Sequence, residues 1–254
     1  TILEHNSQKA DRILGIGIGI PGLIDPKRGY ISYSPEMNWR DVNMKELFCK
    51  NFDGEIVIEE RTRAMASAEM RIGRAQNVKN FLYVNISSGI GSAIVMYVNN
   101  SSGIGSAIVM NGKLYYGNSK SSGRLGHMVV EKDGLPCNCG NHGCLEKYCS
   151  LSALRSEIRD LLRAHRPSCL DAGNLHDEAI ALAVRAGDPV AVQAYEHVCE
   201  RLGVGVISLI NQMNPGLIVL GDALVDICPE RLLEVVRRCV EAGVNERIYS
   251  DLAI

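Results

Sequence analysis

Between Gly126 and Glu146 the chain reads GHMVVEKDGLPCNCGNHGCLE. In that stretch His127, Cys137, Cys139 and Cys144 offer one imidazole and three thiols, the donor set of a closed tetrahedral zinc site. Thiolates select zinc over magnesium or calcium, which take oxygen ligands. The thiols crowd around Gly140 and Gly143, where glycine lets a short loop double back over an ion. His142 could replace one ligand and Cys149 is a spare neighbour; three unligated cysteines in a loop is the bland alternative. With four protein ligands the ion would be structural, its binding coupled to folding of the loop. The other cysteines, Cys49, Cys169, Cys199, Cys228 and Cys239, read as small core residues.

A second candidate is Ser87-Ser88-Gly89-Ile90-Gly91, lying between two strands. Backbone N–H groups in such a turn can cradle a phosphate, with Ser88, Gly89 and Gly91 as its hallmark, although a plain glycine-rich hairpin has the same composition. A third, Gly17-Ile18-Gly19-Ile20-Pro21-Gly22, formally matches G-x-G-x-x-G. Leu23-Ile24-Asp25-Pro26 follows instead of a helix, so no helix N-terminus is available to a pyrophosphate and the dinucleotide reading is rejected.

The elements that must position these residues alternate between strand and helix. Ile13–Ile20, Glu55–Ile58, Phe81–Ile86 and Leu217–Leu220 read as strands. Lys45–Phe52, Thr62–Arg74, a segment capped by Ser150 or Ser152, a long segment from Asp188-Pro189 towards Asn211, and Pro229–Ala242 read as helices. Residues 1–12 read as the end of a helix. The alternation argues for α/β architecture, with a domain junction near Asn77–Asn80. One feature stands apart: Tyr83–Met96 and Tyr97–Met110 are the same sequence except for Ile86 against Asn100. It reads as a recent duplication rather than two working phosphate loops, because one sheet position cannot hold both. The even offset keeps the in/out phase of the strands, which lets an extra segment be tolerated.

Composition excludes several classes. The 254 residues carry 27 Lys+Arg and 29 Asp+Glu, a net charge of −2, which argues against a nucleic-acid surface on this chain. Ile13–Ile24, the longest apolar run, is broken by Gly15, Gly17, Gly19, Pro21 and Gly22, so no membrane span or membrane partner is expected. No basic stretch leads into an apolar one at the N-terminus, so no signal peptide is expected. Nine cysteines, irregularly spaced, fit a reduced cytoplasmic protein. The start at Thr1 and the stop at Ile254 read as a piece of a longer protein.

Taken together, GIGIPGLID (Gly17–Asp25), SPEMNW (Ser34–Trp39), SSGIGSAIVMNGKLYYG ending at Gly117, GRLGHMVV (Gly123–Val130), CNCGNHGCLEKYCS (Cys137–Ser150) and NPGLIVLGDAL (Asn214–Leu224) make the chain resemble the ROK family of repressors, open reading frames and kinases. The resemblance implies an RNase H-like, actin-like ATPase (sugar kinase) two-domain α/β fold, here truncated at both ends. Residues 1–78 would be a partial N-terminal domain, and 79–254 a larger domain with the zinc loop and oligomerisation helices. It also implies a sugar cleft, a homodimer or homotetramer, and, in the repressor branch, DNA contact only through a domain outside this chain.

Family sugar contacts carry over to Gly22, Asn38, Glu60, Arg61, Arg124, His127 and Glu146. A turn-forming role is the plainer reading of Gly22 and Asn38. Kinases of the family carry Glu-Asn-Asp-Ala-Asn where this chain has Glu59-Glu60-Arg61-Thr62-Arg63, and their Asp is the general base. Arg61 stands there, and a guanidinium has no lone pair for a proton. Arg124 replaces a sugar-binding Glu, and Gly221-Asp222 replaces a Gly-Gly pair near the nucleotide. These departures predict no catalytic residue, no kinase activity, no use of ATP and magnesium, and a vestigial phosphate loop. They predict a regulator's effector part sensing a sugar or, with Arg61, Arg124 and His127 facing it, a sugar phosphate. The alternatives are an ATP-dependent hexose or N-acylhexosamine kinase, or a vestigial scaffold. Against the anionic effector, Arg61 and Arg63 could simply pair with Glu59, Glu60 or Glu69.

Overall fold

The computed structural model describes residues 13–34, 37–50, 52–86 and 104–254. β1 (Gly15–Ile20) runs parallel to β5 (Glu55–Glu60), with Ile16 opposite Ile56 and Ile18 opposite Ile58. Its Ile-Gly alternation matches the strand period. Ile18 and Ile20 turn into a cluster with Ile24, Ile31, Ile56 and Ile58, while the glycines face the open side. Gly22 leads into β2 (Leu23–Asp25), a strand and not a helix, as the rejected dinucleotide reading requires. β2 pairs antiparallel with β3 (Tyr30–Ser34), and β3 with β4 (Trp39–Asn43). The Asp25-Pro26 turn closes by Asp25 Oδ1 accepting from the N–H of Lys27. Asn43 then caps α1 (Met44–Cys49) by accepting from the N–H of Glu46.

The second sheet has the order β8-β7-β6-β9, formed by β6 (Phe81–Ile86), β7 (Ile104–Met110), β8 (Lys113–Leu114) and β9 (Leu217–Gly221). β6 is buried at every position, antiparallel to β7 and parallel to β9. Period-two geometry sorts its side chains. Phe81 and Tyr83, with Ala107 and Val109 of β7, meet Ala66 of α2 (Arg61–Ile72). Leu82, Val84 and Ile86, with Ile104 and Ile108, meet a helical layer on the other face. That layer holds α3 (Glu146–Cys149), α4 (Leu151–Arg163), α5 (Asp177–Arg185), α6 (Pro189–Met213), α7 (Ala223–Ile227), α8 (Pro229–Gly243) and α9 (Glu246–Ser250). Helices cover both faces of the sheet, giving a three-layer α/β/α unit.

The expected helix signals act as anticipated. Asp188 accepts from the N–H groups of Val190 and Ala191, with Pro189 in the first helical turn, and opens α6. Ser150, not Ser152, caps α4 by accepting from Ala153. The cysteine expectation needs correction: Cys199 is in the core, but Cys49 and Cys169 are exposed and Cys228 and Cys239 only half-buried. Cysteine's small size lets it sit at either kind of position without a packing defect. α5, α7, α9 and the β2–β4 hairpins were not foreseen. Among the described residues no helix is long and apolar enough to cross a membrane.

The doubled segment is divided between two strands. β6 takes Tyr83–Ile86 from the first copy and β7 takes Ile104–Met110 from the second, with Ile86 opposite Ile104 and Phe81 opposite Val109. Residues 1–12, and residues 87–103 with Ser88, Gly89 and Gly91 of the phosphate-loop expectation, lie outside the described residues. Deleting residues 87–100 leaves Ser101-Ser102-Gly103 between the paired ends, the three-residue connection with a closing glycine that hairpins favour. The deletion variant should keep the pairing of β6 with β7 and lose no stability. Urea unfolding of the deletion variant checks this, with the slope of the transition unchanged.

Candidate functional site

The cysteine-rich loop is shaped by backbone bonds before any side chain acts. A single 3₁₀ turn, Leu125–His127, ends at the imidazole. Cys137 N–H donates to Asn141 O and Gly140 N–H to Cys137 O, folding Cys137 and Cys139 into one tight turn. Val129 bridges Cys144 and Pro136 bridges His142, drawing the two ends together. Gly143 sits at φ +72, and a Cβ there would lie 1.6 Å from the Glu131 carbonyl, so only glycine fits. The helical layer seats the loop through Leu145, fully buried against Gly205 of α6, where a Cβ would reach within 2.4 Å of the leucine. The sequence between Cys144 and α3 thereby docks the loop on the longest helix.

This brings the four predicted donors together. His127, Cys137, Cys139 and Cys144 place one ligand atom each within 4.8 Å of one another. Cys139 and Cys144 sulfurs are 3.6 Å apart, and the Cys137 sulfur is 3.7 Å from His127 Nδ1. Zinc–sulfur bonds of about 2.3 Å set tetrahedral ligands about 3.8 Å apart, close to these two separations. His142 lies exposed across the bridge to Pro136, and it does not enter this group. Cys149 is fully buried behind it.

Burial pushes the thiols of Cys137 and Cys144 up, while the N–H of Asn141 pulls Cys139 down. Burial also pulls His127 below its usual value, against the carboxylate of Glu146, leaving a neutral imidazole with a free lone pair at pH 7. Metal binding would deprotonate the thiols outright. Glu146, at the start of α3, stands directly beside the cluster: its Oε1 accepts from the Cys137 thiol at 2.9 Å and lies 3.7 Å from His127 Nδ1. Arg124, exposed just before the 3₁₀ turn, is close enough to act on His127.

The remaining predicted contacts sit elsewhere on the fold. Gly22 has φ +136, and a Cβ there would lie 2.5 Å from the Tyr33 carbonyl; its packing alone demands glycine. Asn38 is exposed at φ +53 in the turn before β4, a conformation Asn tolerates. Glu60 caps α2, its two carboxylate oxygens accepting from Thr62 and Arg63 N–H. Arg61 is half-buried at the first position of α2, and its charge reaches Tyr83. Arg63 does pair with Glu59, Nε to Oε1 at 2.8 Å, as the plainer reading held. Glu69 is engaged by the N–H of Arg74.

Sequence reasoning missed Tyr116. Its hydroxyl donates to Glu59 Oε2 at 2.8 Å, and burial with that carboxylate pushes it up to about 12. Arg63 Nη2 on α2, Asn85 Oδ1 on β6 and Ser106 Oγ on β7 are buried without hydrogen-bond partners among the described residues. Asp222, after β9, holds φ +79 and ψ −173, a region glycine alone occupies freely, and accepts from Ala223 N–H.

Comparisons with known proteins accord with this geometry. The model of the ROK family matches residues 1–103 and 95–253, the two matches overlapping inside the doubled segment. The xylose repressor of Bacillus subtilis (strain 168) is 32% identical over 240 residues, 94% of this chain and 55% of that protein. The crystal structure of a ROK family transcriptional regulator, a homolog of the E. coli MLC protein, superposes with TM-score 0.85 at 28% identity, covering 99% of this chain and 61% of that one. A ROK family glucokinase from Streptomyces griseus, in complex with glucose and AMPPNP, gives TM-score 0.77 at 25% identity over 91% of this chain and 73% of that one. The chain spans about half the length of the curated repressors it matches. It has the actin-like fold shared by ROK sugar kinases and repressors, and it belongs to the ROK family.

Proposed function

We propose that this chain is the effector-sensing part of a ROK-type transcription regulator, one that binds a sugar or sugar phosphate and transfers no phosphate. The carrying observation is Arg61. It opens α2 directly after β5, where the resemblance calls for the carboxylate that takes the sugar hydroxyl's proton, and a guanidinium cannot take one. General-base catalysis contributes about 10²–10⁴-fold, so its loss alone is severe. Asp222 adds a carboxylate where phosphates of a nucleotide would repel it. The likeness to the xylose repressor and to the MLC homolog supports the regulatory reading, and the likeness to the glucokinase keeps the kinase as the alternative.

In this reading His127, Cys137, Cys139 and Cys144 hold one structural Zn²⁺, which supplies cross-linking and no redox or hydrolytic chemistry. The cross-linked loop holds Glu146 at a fixed place, ready to accept from sugar hydroxyls. Arg124 and Arg61 supply positive charge for an anionic group on the sugar, whereas Arg63 is already committed to Glu59. Sugar binding shifts the closure of the two α/β units, and with it the DNA-binding region that would lie outside this chain. The working form is a cytoplasmic homo-oligomer.

Elemental analysis should find one zinc per chain, and Cys144→Ser should lose it. Stripping the metal should cost about 3 kcal/mol, about 10 °C in Tm by calorimetry. Titration calorimetry with xylose, glucose, N-acetylglucosamine and the 6-phosphates of the last two should find at least tenfold tighter binding of a phosphorylated sugar, reduced by Arg124→Ala. Equal binding of neutral and phosphorylated forms would remove the anionic effector. A coupled ATP assay with the same sugars should show no turnover, and turnover would establish the kinase instead.

A further inference from the structure

The start of α2 and the loop following β8 are joined by a set of contacts that neither the metal cluster nor the proposed sugar contacts use. Arg63 is only 3% exposed, and three groups hold its guanidinium. Nε donates to Glu59 Oε1 at 2.8 Å, Nη1 donates to the Lys120 carbonyl at 3.2 Å, and the guanidinium carbon lies 5.1 Å from the centroid of the Tyr116 ring. The ring is tied in turn, because the Tyr116 hydroxyl donates to the other oxygen of Glu59. Lys120 itself holds φ +59, which a side chain rarely adopts without something to fix it, and its ammonium lies 5.9 Å from the same ring.

The geometry suits arginine alone. A planar fork can donate in two directions while stacking on a ring; a lysine ammonium is a point charge that can do only one of these. Removing the guanidinium would also leave Glu59 a half-buried carboxylate without its cation. The held loop runs straight on to Gly123, whose carbonyl accepts from Ser106 N–H on β7, then to Arg124 and the turn ending at His127. Only Ser121, Ser122 and Gly123 lie between Lys120 and Arg124, so little slack remains between clasp and site.

We propose that Arg63 is a positioning residue: by locking residues 115–122 onto the start of α2, it sets Arg124 and His127 at a fixed place relative to Glu60 and Arg61. Its effect on a sugar rests on the effector reading above; the clasp itself does not. Limited trypsin digestion of the full chain separates the two, since Lys120–Ser121 is a tryptic bond whose carbonyl Arg63 holds. Arg63→Ala should speed cleavage there at least tenfold, with cleavage after Lys79 unchanged. Arg63→Lys should fail to restore protection, and Tyr116→Phe should lose part of it. Both milder variants give the answer should Arg63→Ala not fold.

Equal acceleration at Lys79 and Lys120 would mean that Arg63 only stabilises the whole fold, and no acceleration would mean that there is no clasp. Either result overturns the proposal. For whichever of xylose, glucose, N-acetylglucosamine or the 6-phosphates the wild-type chain binds, Arg63→Ala should weaken binding about tenfold. Selective cleavage with unchanged affinity would confine Arg63 to the loop and overturn its positioning role. If the wild type binds none of them, the effector reading fails, and the digestion still decides the clasp.

Discussion

Three sulfurs and one ring nitrogen lie within 4.8 Å of one another, and three thiolates held that close would repel one another unless a cation stood among them. The shape of the cysteine-rich loop depends on that constraint. The loop from Val130 to Cys144 contains no regular helix or strand and owes its shape to turns, two single bridges and a glycine that no other residue can replace. Such a loop would fray in water, because it buries little apolar surface of its own. A metal bridging its ends to His127 would couple the 3₁₀ turn, the cysteine turn and the start of α3 into one body, and Glu146, which accepts from the Cys137 thiol, would belong to that body.

The cluster is also anchored from below. Leu145 follows the last cysteine and is fully buried, packed against Gly205 on α6, whose eleven buried positions form the spine of the helical layer. Leu145 N–H donates to Met128 O, one residue beyond His127. A single residue thus joins the ligand loop to both the core and the imidazole's own backbone. β5 ends in Glu59 and Glu60, which divide two tasks between them. Glu60 caps α2, and Glu59 takes the charge of Arg63 and the hydroxyl of Tyr116. Neighbouring carboxylates on one strand end would repel each other in isolation. Backbone N–H groups satisfy one and a guanidinium neutralises the other.

What was legible in the sequence followed from signals that are local. Donor type and spacing exposed the four clustered donors, His127, Cys137, Cys139 and Cys144, because a metal site needs those atoms whatever the surrounding fold. Asp188-Pro189 marked the start of α6, and the Ile-Gly alternation marked β1, because caps and periodicity are properties of short windows. The β2–β4 hairpins escaped because their strands are three to five residues long and mix polar with apolar positions. Arg63 had three possible partners in Glu59, Glu60 and Glu69, and spacing could not choose among them. The choice was made by competition, since Glu60 is occupied by cap N–H groups and Glu69 by Arg74. Tyr116 was invisible because 57 residues separate it from Glu59 and only the folded chain joins them. The doubled segment is the sharpest case: IGSAIVM occurs twice, identically, and no window-based signal can say which copy pairs with β6. Pairing of Ile104–Met110 resolves it.

Likeness of fold cannot decide between sensing and phosphorylating a sugar, since this chain superposes on a regulator at TM-score 0.85 and on a nucleotide-bound glucokinase at 0.77. The decision belongs to a few charges. Phosphoryl transfer needs a base near the acceptor hydroxyl and positive or neutral surroundings for the phosphates. At the two corresponding strand ends this chain carries the reverse, a guanidinium at Arg61 after β5 and a carboxylate at Asp222 after β9. Asp222 holds its place in a backbone region that costs a side chain about 1–3 kcal/mol, against which its one bond to Ala223 N–H recovers about 1. A residue held in that backbone region does not serve stability, and under the regulatory reading proposed above it has no nucleotide to accommodate.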